Sequence, residues 1–296
     1  MRLNEFLLHS GYPSYELTDF ERKKLKETLL EIFKDISIVC ERNDLVYLLG
    51  GGSCLGAVRH KGFIPWDDDL DIMMPRKSYN KLVEYLMTTF PEKYFFTGPR
   101  YSSDGKFLKV HKKGTTLESL FDNPNDGIAV DIFPIESIPK SKFSRIFHGM
   151  KLNFYSFIAS CVKLLKNPSP ADKYLMHFNK TIPKMFMRKT IGFLFSWKSY
   201  TYWILKFDEE ASREFKSDFV SIPSGRKHYF GEIYKHDVFF PVKYGKFEGA
   251  KVPLPNDCET YLSRLYGNYM RIPNKEDREK HFVTKINFEE ENEKNT

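Results

Sequence analysis

Cysteine is scarce in this chain and widely scattered. Cys40, Cys54, Cys161 and Cys258 are the only four in 296 residues. No two form a CxxC pair, so neither a zinc site nor a disulfide framework is indicated. A reducing compartment is the simplest expectation. Long apolar runs are missing too. Without a stretch of about 18 apolar residues, no spanning helix is expected. The segment after Met1 and Arg2 has neither an apolar core nor a small-residue cleavage site, so no secretory signal is read there. A cytoplasmic location is expected. Internal repeats and low-complexity segments are also lacking, which excludes a repeat architecture.

Acidic residues are nearly absent from one region. Between Lys140 and Lys206 a single acid, Asp172, stands against thirteen Lys or Arg. That local +12 exceeds the +7 of the whole chain and leaves the remainder near −5. The basicity therefore belongs to one segment and points to an anionic partner there.

Against these absences stands ample core material. Hydrophobic residues make up 41% of the chain and aromatics 16%, enough to bury a sizeable interior. Only the tail from Glu289 to Thr296 is polar throughout and expected to fray.

Periodicity predicts a mixed α/β (α+β) core. Leu25, Leu29, Ile32, Phe33, Ile36 and Val39 recur at helical spacing between Thr18 and Glu41. Thr18 and Glu21 have the spacing of a capping box. Leu45 to Leu49 suits a buried strand, and Ser53 to Arg59 a brief helix. Leu70, Ile72 and Met74 alternate with Asp69, Asp71 and Met73, the pattern of a strand. Arg76 to Phe90 reads as a helix. Phe107 to His111 and Ile128 to Phe133 read as strands, the second ended by Pro134. A last helix is expected near Asn256, with that residue as its N-cap. The organisation predicted is a catalytic core over 1–139 and a basic, aromatic helical insertion over 140–227. A segment over 228–288 then completes the core.

The acidic stretch Asp67-Asp68-Asp69-Leu70-Asp71 carries the most chemistry. On a strand, Asp67, Asp69 and Asp71 share one face and Asp68 points away. Such neighbours repel unless a cation sits between them. A hard divalent ion, Mg²⁺ or Mn²⁺, suits oxygen ligands and leaves positions open for phosphate. Asp131, an acid inside the apolar run Ala129 to Phe133, is costly there unless neutralised or coordinated. Asp69, Asp71 and Asp131 are the candidate metal ligands. Asp67 is a candidate ligand or general base. Two other readings compete. A calcium loop starting at Asp67 fails, because it needs glycine where Ile72 stands and glutamate where Ser78 stands. A solvated acidic loop is the bland alternative, disfavoured by flanks that are apolar and aromatic on both sides.

Upstream lies Leu49-Gly50-Gly51-Gly52-Ser53. Glycines before a helix let backbone approach a phosphate, so Gly51, Gly52 and Ser53 are candidate phosphate contacts. The dinucleotide fingerprint fails at Leu55, and the P-loop fails at Ala57, where lysine is needed. Arg59 and His60 follow, candidates for neutralising phosphate charge or simply an exposed basic turn.

The run from Gly52 to Ile72 closely resembles the LicD family. So do Val130-Asp131-Ile132-Phe133-Pro134, Phe247-Glu248-Gly249, Tyr266-Gly267-Asn268-Tyr269-Met270 and His281. The resemblance implies a nucleotidyltransferase-type fold. It also implies transfer of a phospho-alcohol, typically phosphocholine, from a CDP-linked alcohol donor to a hydroxyl of a glycan or lipid-linked glycan acceptor. Teichoic and capsular polysaccharide precursors belong to that class. Transfer of a nucleoside monophosphate with release of pyrophosphate is the alternative chemistry. The basic segment suits peripheral contact with an anionic membrane; packing within a helical subdomain is the alternative. A nucleic-acid partner is not expected, because it leaves the acidic ladder without a purpose.

Overall fold

The computed structural model describes residues 15–102, 105–119, 127–176, 181–274, 277–278 and 283–288. Helix α1 (Asp19–Arg42) starts at Thr18, whose side chain and that of Glu21 complete the expected capping box. Its apolar stripe, Leu25, Leu29, Ile32, Ile36 and Val39, is fully buried. Strand β1 (Leu48–Leu49) is shorter than the apolar run around it. Then follow α2 (Gly51–Arg59), β2 (Asp71–Pro75), α3 (Arg76–Thr89), β3 (Tyr94–Thr97), β4 (Leu108–Lys112), β5 (Thr116–Ser119) and β6 (Ala129–Ser137).

The central sheet runs β1-β2-β6-β4-β3, with β2 and β6 parallel and the other pairs antiparallel. This confirms the mixed α/β class. The parallel register sets Asp71 directly beside Asp131. Strand β6 runs through Pro134 to Ser137, where the sequence suggested a stop. Pro134 falls between Ile132, the last partner of β4, and Glu136, the first partner of the next strand on that side. No ladder there needs the missing N–H.

Helices α4 (Lys142–Lys166), α5 (Pro170–Leu175), α6 (Ile182–Phe195) and α7 (Tyr200–Ala211) make up the basic segment. They bury a small interior of their own around Ile158, Val162, Trp203 and Ile204. The sheet resumes at Phe219, within the range expected to be helical, because β7 (Phe219–Ser221) pairs with the end of β6. Next come α8 (His228–Gly231), β8 (Ile233–Lys235), the hairpin β9 (Lys243–Phe247) and β10 (Ala250–Leu254), and α9 (Cys258–Tyr266). Last is β11 (Val283–Asn287), paired with β5. The N-cap of α9 is Asp257, which accepts from the Thr260 amide; Asn256 instead donates to the Asp237 carbonyl. The tail 289–296 and His281 lie outside the described residues.

A buried charge cluster joins the insertion to the core. Arg76 opens α3, Glu136 lies near the end of β6, and Asp208 sits on α7. The Arg76 guanidinium meets Glu136, with Nε at 3.1 Å from both carboxylate oxygens, and Asp208 at 2.9 Å. Arg100 reaches the other Asp208 oxygen at 2.9 Å. Burial works against ionised Glu136, and Arg76 opposes that effect.

Candidate active site

The site forms where β1 ends and α2 begins. The Gly50 amide donates to the Asp71 carbonyl at 2.9 Å, so the chain is still tied to β2 as it turns. Gly51 then takes φ +41°, which favours glycine. The next requirement is space. A Cβ on Gly51 would lie 2.3 Å from Asp71 Oδ2, and one on Gly52 would lie 2.7 Å from Asp67 Oδ2 and 3.9 Å from Asp69 Oδ1. Three carboxylates therefore pack around two bare glycines at the start of a helix.

This convergence was expected, but its mechanism differs. Asp67 and Asp69 are not strand residues, since β2 begins only at Asp71. They lie in the preceding turn and irregular stretch, which wraps round the glycine bend. Asp131 joins through the β2–β6 register. Its carboxylate lies 3.4 Å from Lys109 Nζ on β4. Lys109 is thus the neutralising partner that an acid in an apolar strand requires. Lys26 of α1 faces the same region. Burial lowers its pKa, while Glu248, Asp67 and Asp68 raise it.

Ser53 and Gly51 contribute to the frame of the site. Ser53 Oγ accepts from the Asp71 amide at 2.9 Å. The Gly51 amide donates to the Tyr261 hydroxyl at 3.0 Å. That donor, read from sequence as a phosphate contact, is engaged within the protein. A phosphate at this helix start would also meet three carboxylates unless a cation lay between.

Arg59 closes α2 and reaches the C-terminal segment. Its Nη1 donates to the Tyr269 carbonyl at 2.6 Å, and its Nε donates to His60 Nε2 at 2.9 Å. Burial, and then Arg59, lower the His60 pKa. Trp66, next to Asp67, carries Arg278 over its ring at 4.0 Å and Arg59 at 6.0 Å.

Three residues of the site escaped the sequence reading. Tyr261 holds the Gly51 amide from 210 positions away. Tyr266 is half-buried beside the acids: desolvation raises its phenol well above the usual range, with Asp71 the next cause and Asp67 and Asp69 adding to it. Arg226 lies over the Tyr266 ring at 5.4 Å. Tyr266 at least belongs to the run Tyr266-Gly267-Asn268-Tyr269-Met270, whereas no spacing marks Arg226. Glu248, of Phe247-Glu248-Gly249, accepts from the Phe63 amide at 2.9 Å. Gly62 leaves room for that carboxylate, which would lie 2.2 Å from a Cβ there.

The donor set is wholly oxygen and fits a hard divalent cation in type. Among the described residues, no three His, Cys, Asp or Glu side chains are grouped as ligands of one ion. The space that a Cβ on Gly51 would fill adjoins the Asp71 carboxylate, and that over Gly52 adjoins those of Asp67 and Asp69.

Residues 44–155 match the model of the LicD/FKTN/FKRP nucleotidyltransferase domain. The chain is 27% identical over 264 residues to the lipopolysaccharide cholinephosphotransferase LicD of Haemophilus influenzae, covering 86% of this chain and 93% of that one. Shorter matches reach uncharacterised proteins of Rickettsia prowazekii, 36% identical over 73 residues, and Rickettsia typhi, 46% identical over 52 residues. The first covers 23% of this chain and 27% of its relative, the second 18% and 16%.

Proposed function

We propose that this chain, whose residues 44–155 match the LicD/FKTN/FKRP nucleotidyltransferase domain, transfers a phospho-alcohol, phosphocholine first, from a CDP-linked donor to a hydroxyl of a cell-surface glycan. Lipopolysaccharide is the leading acceptor class, following the relative from Haemophilus influenzae. One observation carries the reading: Asp67, Asp69 and Asp71 gather at the bare glycines that open α2, with Asp131 in register beside Asp71.

Asp69, Asp71 and Asp131 would hold Mg²⁺ or Mn²⁺. The ion would supply charge neutralisation for the donor's phosphates. The remaining roles belong to the protein. The glycine bend makes room for the Asp67 and Asp71 carboxylates against the backbone and so keeps them at the start of α2. Arg226 and Lys26 offer positive charge on the rim. Asp67 accepts the proton of the acceptor hydroxyl as its oxygen bonds to the phosphorus that bears the alcohol. The bond from that phosphorus to the bridging oxygen breaks, and CMP leaves.

The test incubates the full chain with Mg²⁺ and, in turn, CDP-choline, CDP-ribitol, CDP-glycerol and CDP-ethanolamine, each with lipopolysaccharide as acceptor. CMP release that depends on acceptor, and that Asp69→Ala or Asp71→Ala abolishes without unfolding the chain, is the expected result. In a parallel incubation with CTP, pyrophosphate release, with no CMP release from any CDP donor, would assign nucleotidyl transfer instead. Near-normal activity in either variant would remove the site assignment.

A further inference from the structure

Helix α4 presents more apolar surface than its neighbours cover. Phe143, Ile146, Phe147, Met150, Phe154 and Phe157 recur at three- and four-residue steps and fall on one helix face. All six are exposed, Phe143 by 70%. The same face continues through Cys161 and Leu165, and there α6 covers it. Gly192 of α6 sits so close that a Cβ would lie 2.4 Å from the Cys161 carbonyl oxygen. Helix α6 and the turn after it expose a stripe of their own. Phe186, Phe193 and Trp197 are each about 70% exposed. Rings link the two helices: Phe154 to Phe195 at 5.8 Å, Phe195 to Trp203 at 5.7 Å, and Trp203 to Trp197 at 6.1 Å. Apolar surface this continuous marks an interaction site rather than ordinary scatter.

Charge identifies the occupant. The surrounding segment, Lys140 to Lys206, carries +12. Lys142 and Lys151 flank the α4 stripe on its two sides, and Lys198 lies 5.4 Å over the Trp197 ring. Stacking two copies through this face would bring Lys142, Lys151 and Lys198 of each against those of the other, which is unfavourable. No described helix is long and apolar enough to cross a membrane, so contact with lipid through these helices lies along its surface.

We propose that the α4–α6 face docks on an anionic lipid surface, its rings entering the headgroup boundary and its lysines meeting lipid phosphates. The proposal stands apart from the transfer reaction, and its test needs neither donor nor acceptor. The full chain is floated with vesicles of phosphatidylcholine alone and of phosphatidylcholine mixed with phosphatidylglycerol. Binding to the mixed vesicles, reversed by salt, is expected. Phe143→Ser with Phe186→Ser should weaken it about tenfold or more, with unchanged far-ultraviolet circular dichroism. Lys142→Glu with Lys198→Glu should weaken it similarly. A blue shift of tryptophan emission on binding should shrink in Trp197→Phe. No binding to the anionic vesicles at low salt, or equal binding by the double Phe variant, would overturn the proposal. So would a dimer in sedimentation velocity that the double Phe variant dissolves, which would assign the face to a second copy.

Discussion

Gly52→Ala separates the carboxylate cradle from the fold that holds it. The added Cβ would lie 2.7 Å from Asp67 Oδ2, where ordinary contact starts at 3.4 Å. The Asp67 carboxylate must therefore withdraw by about 0.7 Å, the difference between those two distances. The clash is with the end of a side chain rather than with backbone, and Gly52 is not at positive φ. Folding should hardly register the change, with an unfolding midpoint within about 1 °C of the parent. Catalysis should register it strongly, because a misplacement near 1 Å costs up to about 100-fold. Gly51→Ala is the contrasting case. Its φ of +41° adds backbone strain to the clash with Asp71. That strain costs about 1–2 kcal/mol, or about 2–8 °C in midpoint for a chain this size. The assay pairs differential scanning fluorimetry with CMP release. Parental turnover in folded Gly52→Ala would refute the idea that the Asp67 carboxylate has to rest against this glycine.

Three further outcomes follow, two of them from buried polar groups. Burial raises the Glu232 carboxyl to about 7, against the pull of the Lys227 amide. The folded chain then holds a proton that the unfolded chain has released, so this group's contribution to stability falls as pH rises from about 4.5 to about 7. Glu232→Gln should remove that slope, worth at most about 3 kcal/mol, in unfolding midpoints measured across the window; an unchanged slope would refute it. Arg76→Met strips the shared cation from buried Glu136 and Asp208 and should cost about 3–5 kcal/mol by urea unfolding; replacing all three by apolar residues should recover most of the loss. Arg226→Ala should raise KM for the CDP donor about tenfold at an unchanged unfolding midpoint, whereas a fall in midpoint alone would reduce Arg226 to packing on Tyr266.

The sequence made the ingredients of the site legible but not its geometry. Asp67, Asp69 and Asp71 looked like one face of a strand, because alternation is the only local device that aligns alternate residues. The protein uses another: an irregular stretch before β2 that curls round Gly51 and Gly52. Either device sets carboxylates beside the glycines, but the element is not the strand that alternation implied. Asp131 was conspicuous as an acid among apolar neighbours, yet Lys109 gave no sign of being its partner, since that pairing depends on the β4–β6 register. Tyr261 and Arg226 were harder still. Contacts that close over such separations leave no periodic trace. In the insertion, packing and exposure divide the aromatics: Trp203 and Phe207 are buried, while Phe143 and Phe193 face outward. Composition cannot draw that line.

The tie between Tyr261 and Gly51 and the hook of Arg59 on the Tyr269 carbonyl bear on how the protein can be made smaller. A fragment cut after residue 155 would keep every acid of the cradle but lose what fastens the bend beneath them. The economical excision lies in the middle of the chain. Strands β6 and β7 already pair at Ser137 and Val220, so the helical excursion leaves and rejoins the sheet at adjacent points, which a short connector could span.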